Sequence, residues 1–127
     1  MRQTVKAFKA LSDETRLRVL NLILERECCV CEIMQALEIS QSKASRHLSA
    51  LYDAGFLKFR KEGLWSLYAI DCGMEAYLSD MVSAARKSLI DNREAKMDRE
   101  RLKTTKRTGT VCTSCISETT PVFQEKT

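Results

Sequence analysis

The sequence predicts a mainly α-helical fold that carries one small β-hairpin. Over most of the chain, apolar residues recur at three- and four-residue steps, which is the spacing of amphipathic helices. After Gly55 the pattern changes to a partial alternation of apolar and polar residues, which is typical of strands. A chain of 127 residues can bury only a modest core, so a homodimer that shares apolar surface is expected.

Two helices are expected at the N-terminal end. A stripe of apolar residues from Val5 to Leu11 has the spacing of a short first helix. Ser12 or Asp13 then caps a second helix over residues 15–27, where apolar side chains again repeat at helical steps.

A short helix, a tight turn and a longer helix follow. Residues 30–37 form the short helix, and Ser40 is a good N-cap for the longer helix over residues 41–54. Gly55 ends the longer helix, because glycine readily adopts the left-handed conformation that follows a helix C-cap. This order of elements is a helix-turn-helix.

The next segments predict a wing and a dimer helix. Residues 56–61 and 64–70 have the pattern of paired strands, and a hairpin that follows a helix-turn-helix is a wing. Residues 74–89 form a long helix that is too apolar to stand alone, so it should pack on its symmetry mate and on the first helix. Residues 93–103 continue as a helix but are almost wholly charged, so we expect them to leave the core.

These elements divide the chain into two parts. Residues 1–103 are expected to form a winged helix-turn-helix domain for DNA binding and dimerisation. Residues 104–127 are rich in Thr and Ser and lack periodicity, which predicts a flexible Cys-containing C-terminal tail. The N-terminus has no signal-peptide pattern and no apolar run could span a bilayer, so we expect a cytoplasmic protein with reduced thiols.

Basic residues cluster in the helix-turn-helix and the wing. The net charge of +4 and the pI of about 8.8 favour an anionic partner. Arg can pair bidentately with guanine and Gln with adenine, while Ser and a helix N-terminus suit phosphates. The candidate DNA-binding residues are Gln41, Ser42, Lys43, Ser45, Arg46 and His47 on the helix and Lys58, Arg60 and Lys61 on the wing.

The sequence offers little for catalysis. It has no recognisable nucleophile–base pairing, glycine-rich phosphate loop or pair of catalytic carboxylates. The one histidine, His47, has no evident acid partner that would make it a general base. Enzyme activity is therefore not expected.

Three cysteines lie within four residues, at Cys28, Cys29 and Cys31. Core packing could account for one of them, but adjacent residues cannot all face inward. Thiolates are soft donors that select soft metals and metalloids. On a regular helix Cys29 and Cys31 would be about 200° apart, so either the helix begins after Cys29 or binding unwinds its first turn. Cys28 and Cys31, three residues apart, would share a helix face.

Three runs of sequence resemble the ArsR/SmtB family of winged-helix repressors. They are residues 10–18 (ALSDETRLR), residues 45–57 (SRHLSALYDAGFL) and residues 60–63 (RKEG). The resemblance covers about residues 4–90 and implies a homodimer that binds operator DNA without a cofactor and is released by an inducer. It also implies that residues 41–54 form the recognition helix, with His47 at a typical position there.

The thiol cluster carries a second resemblance. Residues 29–33 (CVCEI) are similar to the Cys-Val-Cys motif of the family's arsenic-responsive members and of some cadmium/lead sensors. This implies that arsenite or antimonite is the inducer and that cysteine thiolates bind it, trivalent arsenic taking three sulfurs. In the best-known arsenic pattern a third Cys stands at the position of Met34, and a thioether is a poor substitute. The candidate ligands are therefore Cys29 and Cys31 with a third from among Cys28, Cys112 and Cys115.

Other functions of the thiols stay open at this point. A thiol redox or persulfide sensor fits the same fold, and so does a cadmium/lead sensor, although the N-terminal arm lacks the Cys of a four-thiolate site. A zinc site on the long helix is not expected, because that helix has no His. Cys112 and Cys115 have chelating spacing, so a structural four-sulfur zinc site with the pair at 29 and 31 is a further alternative. A dithiol enzyme would need a βαβ context that the chain lacks, and Cys72 is expected to be structural.

Overall fold

Six helices and three short antiparallel strands make up the computed structural model, which describes residues 1–107. The predicted sites at Cys112 and Cys115 lie outside the described residues. The predicted fold class, a mainly helical winged helix-turn-helix, is confirmed. The elements are α1 (Arg2–Leu11), α2 (Glu14–Glu25), β1 (Cys28–Cys29), α3 (Val30–Leu37), α4 (Gln41–Asp53), β2 (Leu57–Glu62), β3 (Trp65–Ile70), α5 (Ala76–Leu89) and α6 (Arg93–Leu102).

The central helix of the fold is α2. Asp13 caps it, and its carboxylate accepts a hydrogen bond from the backbone N–H of Arg16 at 2.9 Å. Of the two caps that the sequence allowed, Ser12 and Asp13, the structure has Asp13. The middle of α2 is buried and packs against α4 and α6, which makes it the support for the helix-turn-helix. Its buried apolar residues are Val19, Leu20, Leu22 and Ile23.

The helix-turn-helix consists of α3 and α4, whose junction is fixed by local chemistry. Glu38 follows α3 with a left-handed backbone (φ 57°), which turns the chain. Ser40 caps α4, its Oγ accepting the N–H of Lys43 at 3.2 Å. Gly55 follows the C-cap of α4 with φ 97°, a conformation that glycine adopts without strain. The predicted start and end of the recognition helix are therefore confirmed.

The wing is the predicted hairpin, extended by a strand that the sequence did not indicate. Glu62 pairs with Trp65 across a two-residue turn, and Gly63 in that turn has φ 62°. On the far side of β3, the two residues of β1 pair antiparallel with Tyr68 and Leu67. The sheet order is β1-β3-β2, so the thiol segment is hydrogen-bonded into the wing. Two residues are too few for any alternation to reveal β1 in the sequence.

The expectation that residues 93–103 leave the core is wrong. Helix α6 packs against α2 and α3 and buries Ala95, Asp98 and Leu102 on one face. Asp98 is fully buried, and Arg18 donates two hydrogen bonds to its carboxylate, at 2.8 and 2.9 Å. Arg101 donates a further one. A buried carboxylate in the middle of the apolar stripe concealed that stripe from sequence reasoning, since an isolated Asp normally marks a solvated face.

Helix α5 buries only Leu78 and Val82 among the described residues and exposes Tyr77. Its packing on a second copy stays a prediction. Within residues 1–107, none of the helices combines the length and the apolar character that a bilayer crossing requires.

The Asp98 ion pairs make a stability prediction. Replacing Asp98 by Ala leaves a largely buried Arg18 guanidinium without its carboxylate, and the free energy of unfolding should fall by about 2–3 kcal/mol. The matched control is Asp80→Ala on the exposed face of α5, which should change it by less than about 0.5 kcal/mol. Urea denaturation of the two variants measures the difference. Equal stability of both would contradict the structural role of Asp98.

Candidate thiol site and nucleic-acid interface

The sulfur atoms of Cys29 and Cys31 meet at the start of α3. Cys29 has an extended backbone (φ −94°, ψ 167°) and is the N-cap, so α3 begins after it. The sequence left open whether the helix begins after Cys29 or binding unwinds its first turn, and the structure has the helix beginning after Cys29. The two Sγ atoms are 2.7 Å apart, longer than the ~2.05 Å of a disulfide bond. Because Cys29 lies outside the helix, the separation of about 200° that a regular helix would impose does not apply.

Glu32 fixes Cys29 in the N-cap position. Its Oε1 accepts the backbone N–H of Cys29 at 2.9 Å, and the Cys29 sulfur faces the Glu32 amide, which completes a capping box. Glu32 is 4% exposed. Sequence reasoning missed this role, although Cys29-x-x-Glu32 has the spacing of a capping box with Cys in place of Ser or Thr.

Two arginines compensate the buried charge of Glu32. Arg26 donates to its Oε2 at 3.1 Å, and Arg107 donates to its Oε1 at 3.2 Å. Burial opposes the charged form of Arg107, but the hydrogen bond and charge of Glu32, with smaller contributions from Cys29 and Cys28, raise the pKa of its guanidinium. Positive charge beside thiols favours their thiolate form, which is the form that binds soft ions.

Cys28 is held on the other side of the chain. It precedes Cys29 in β1, and successive residues of a strand point to opposite faces. Its thiol donates to the carbonyl oxygen of Arg26 at 3.3 Å, and burial raises its pKa to about 12. The expectation that Cys28 shares a helix face with Cys31 is wrong, because Cys28 is in a strand. Within residues 1–107 no group of three or more Cys, His, Asp or Glu is placed to hold a metal ion.

Cys72 is apart from this cluster. It lies exposed in the loop between β3 and α5, at the hairpin-to-helix junction. The expectation that it is structural stays a prediction. The described residues therefore bring two of the candidate sulfurs together, those of Cys29 and Cys31.

The predicted DNA-binding side chains lie on α4 and the wing with unequal exposure. On α4, Ser42, Lys43 and Arg46 are exposed, whereas Gln41 and Ser45 are half-buried. On the wing, Lys58 is exposed and Lys61 is half-buried. An exposed basic and polar face thus runs along the N-terminal half of the helix that follows the turn, where recognition helices present side chains to base edges.

His47, a candidate DNA-binding residue from the sequence, does not face solvent in the structure. It is 7% exposed, and its Nδ1 is 3.9 Å from a carboxylate oxygen of Asp13. Burial lowers the pKa of the His47 imidazole, and the negative charge of Asp13 acts in the opposite direction. The signal was present in the sequence, because His47 follows the buried Ala44 by three residues and therefore lies beside the same inward stripe.

Arg60 on the wing is tied to the thiol segment. It forms a bidentate pair with Glu27, with Nε and Nη2 each 2.8 Å from a carboxylate oxygen, and a further contact with Glu62 at 3.0 Å. The hydrogen bonds with Glu27 raise the pKa of Arg60. Glu27 immediately precedes Cys28, so a candidate DNA-binding residue is joined to the chain beside the thiols. The separation of 33 positions between Glu27 and Arg60 hides this pair from sequence reasoning.

Known proteins share both the sequence and the fold. Residues 13–58 match the model of the bacterial regulatory protein arsR family. Over 64 residues the chain is 52% identical to the arsenic resistance transcriptional regulator ArsR1 of Pseudomonas putida, covering 50% of each chain. Over 82 residues it is 40% identical to the arsenical resistance operon repressor of Escherichia coli, covering 64% of this chain and 70% of that protein.

A solved structure gives the same result for the fold. The homodimeric winged helix-turn-helix DNA-binding domain of a possible ArsR-family regulator from Mycobacterium bovis is 25% identical, with a TM-score of 0.60, and covers 72% of this chain and 82% of that one. The chain spans about half the length of the Pseudomonas putida relative. These relatives are named as transcriptional regulators rather than enzymes, in agreement with the sequence. With its helix-turn-helix and wing in place, the chain belongs to the ArsR family of bacterial regulatory proteins.

Proposed function

We propose that the chain is a homodimeric DNA-binding repressor that leaves its operator when Cys29 and Cys31 bind trivalent arsenic or antimony. The observation that carries the proposal is the convergence of two thiols on the first residues of the helix-turn-helix. The arsenic resistance repressors among its relatives support the choice of inducer. DNA binding itself requires no cofactor in this proposal.

Helix α4 and the wing would contact DNA together. Arg46 is exposed on the N-terminal half of α4, where its guanidinium can reach the paired acceptors of a guanine in the major groove. Lys43 and the wing residue Lys58 are exposed and suit phosphate contacts. His47 is left out of this set because it is buried against Asp13.

The thiol pair suits a soft thiophilic ion. Cys29 and Cys31 already lie side by side and supply two sulfurs, and thiolates select soft acceptors over hard ones. Bonds of about 2.3 Å from each sulfur to a shared ion hold the two sulfurs roughly 3.5 Å apart, as in metal–thiolate sites. Binding would therefore separate the Sγ atoms from their 2.7 Å contact and disturb the capping box at Cys29.

Two connections can carry that disturbance to the DNA-contacting elements. The first is α3, which begins at the capping box and leads through a three-residue turn into α4. The second is β1, which pairs with β3 of the wing and follows Glu27, the partner of Arg60. Movement of residues 27–29 would shift both the recognition helix and the wing. This is a physical route in which one segment belongs to both the thiol site and the DNA-binding elements.

A redox sensor is the second candidate, and the 2.7 Å contact between the thiols favours it specifically. An oxidant would take two electrons and two protons from Cys29 and Cys31 as a disulfide forms between them. A reversible disulfide in the mass spectrum that tracks loss of DNA binding would identify this function. Separate titrations of arsenite, cadmium and zinc into the DNA complex would identify the ion to which the first candidate, the ion-released repressor, responds.

The thiols are tested by a double variant. Cys29→Ser with Cys31→Ser should bind operator DNA with unchanged affinity, because both side chains are buried at the start of α3, and should no longer be released by arsenite. Cys72→Ser is the matched control, since Cys72 is an exposed cysteine outside the site, and it should be released like the parent protein. Fluorescence anisotropy of a labelled duplex, selected from a random-sequence pool, measures both properties. Arsenite release of the double variant would refute the proposal.

The DNA-binding face is tested by Arg46→Ala. Loss of a bidentate base contact should weaken binding to the selected duplex by about 1–3 kcal/mol. Arg93→Ala, which removes an exposed arginine from α6, is the control and should bind almost normally. Anisotropy titrations at fixed salt compare the two variants. If both lose affinity equally, α4 is not the reading helix.

A further inference from the structure

We infer that α1 binds DNA phosphates beside the recognition helix through a row of exposed cations. We use the term basic stripe for these cations, which are Arg2, Lys6 and Lys9. The inference rests on the proposed function, in which α4 reads the operator. It extends the DNA-contacting surface to a helix that sequence reasoning did not assign to it.

Helix α1 has three different faces. The small residues Ala7 and Ala10 are buried, and they let α1 pack closely against α2 and α4. The apolar residues Met1, Val5 and Phe8 are exposed and form a second face, which suits a contact with a second copy of the chain. The basic stripe follows this apolar face by one position in sequence, so it lies about 100° further around the helix. A second copy that covers the apolar face therefore leaves the basic stripe open to another partner.

An open groove joins the basic stripe to the recognition helix. It has a volume of about 270 Å³ and is lined by Lys6 and Lys9 from α1 and by Ala50 and Asp53 from α4. Asp53 follows Arg46 by seven residues, which is close to two helical turns, so these two exposed side chains lie on the same face of α4. The face of α4 that presents Arg46 is therefore continuous with the basic stripe.

The junction of α1 and α2 fixes the basic stripe in this position. Arg16, which also lines the groove, donates from its Nε to the carbonyl oxygen of Ala10 at 2.8 Å. Ser12 donates from its backbone N–H and from its hydroxyl to the carbonyl oxygen of Lys9, at 3.2 and 3.0 Å. These bonds hold the end of α1 against α2, which supports α4. The lysines are thus presented on a rigid element next to the recognition helix.

The cations of the basic stripe differ from most arginines of the fold in their partners. Within residues 1–107, none of Arg2, Lys6 and Lys9 takes part in an ion pair. Five arginines, by contrast, are paired with carboxylates of the same chain: Arg18, Arg26, Arg60, Arg101 and Arg107.

The charge around the basic stripe favours an anionic partner. Helix α1 contains no acidic residue, and its cations follow one another at i, i+3 and i+4 spacings, where like charges repel. In the groove, Lys6, Lys9 and Arg16 face the carboxylate of Asp53, so positive charge exceeds negative. Binding of a polyanion would relieve the repulsion along α1.

Duplex DNA is the polyanion that this surface fits. Phosphates border both sides of the major groove that a recognition helix enters, so cations beside α4 would meet the backbone of the same duplex. The ammonium groups of Lys6 and Lys9 are point charges on flexible stems, which suits phosphates rather than base edges. Phosphate contacts carry no sequence information, so the basic stripe adds affinity without changing the site that α4 selects.

The experiment measures the salt dependence of DNA binding by the reduced full-length protein. Lys6→Gln with Lys9→Gln removes both lysines from each protomer of the proposed homodimer. The slope of log K against log salt on the selected duplex should become shallower by about 2–4, since each phosphate contact contributes about 0.9. Affinity at low salt should fall at least about tenfold. The ratio of affinities for the selected duplex and a scrambled duplex should be unchanged.

Lys87→Gln with Lys96→Gln is the matched control. It removes the same charge from exposed positions on α5 and α6, away from the groove, and should keep the slope of the parent protein. An equal loss of slope in the two double variants would assign the effect to net charge alone and overturn the inference. An unchanged slope in Lys6→Gln with Lys9→Gln would overturn it as well.

Sedimentation without DNA separates the remaining explanation, a contact between two copies. Lys6→Gln with Lys9→Gln should have the oligomeric state of the parent protein, and a change in that state would assign the basic stripe to the subunit contact and overturn the inference. The proposed function fails separately, if the parent protein binds no duplex from the random-sequence pool.

Discussion

The capping box between Cys29 and Glu32 is the constraint on which the thiol site depends. It makes α3 begin at Val30 and leaves Cys29 in extended backbone, so that two sulfurs meet that a continuous helix would hold apart. The N-cap residue here is Cys, where Ser or Thr is usual. The sulfur that caps the helix is therefore also the one that would bind an ion. Occupation of the site and an undisturbed start to the helix-turn-helix are then in competition.

The surroundings of the capping box extend that competition across the molecule. Residues 28 and 29 form an edge strand of the wing, and Glu27 holds the guanidinium of Arg60. On the other side, the buried Glu32 binds Arg26 and Arg107, which hold the chain that leaves α6. The same short segment is therefore connected to the recognition helix through α3, to the wing through β1 and to the chain after α6 through Glu32. A displacement of less than an ångström in this segment would therefore shift several neighbouring elements.

Local signals in the sequence predicted most of the fold and, in the thiol site, the pair of Cys29 and Cys31. The cap at Ser40 and the stop at Gly55 are decided within a few residues of each, so the recognition helix could be predicted closely. The burial of α6 could not, because its Asp98 is stabilised by Arg18, 80 residues earlier in the chain. The same holds for Glu27 with Arg60, and for β1, which exists only by pairing with β3. The sequence predicted Cys29 and Cys31 as a pair, but the strand position that removes Cys28 from it depends on the wing.

Hydrogen exchange at the start of α3 tests the central claim most directly. Ligands usually slow hydrogen exchange near their sites. An ion that displaces the Cys29 cap should instead speed the exchange of the amides of residues 29–32, because the cap includes the hydrogen bond from the Cys29 N–H to Glu32. The account predicts that saturating arsenite speeds exchange at these amides and at Leu67, the β3 partner of Cys29, while the amides in the middle of α2 are unchanged. Exchange that is unchanged or slowed at residues 29–32 in the arsenite-loaded protein would contradict it.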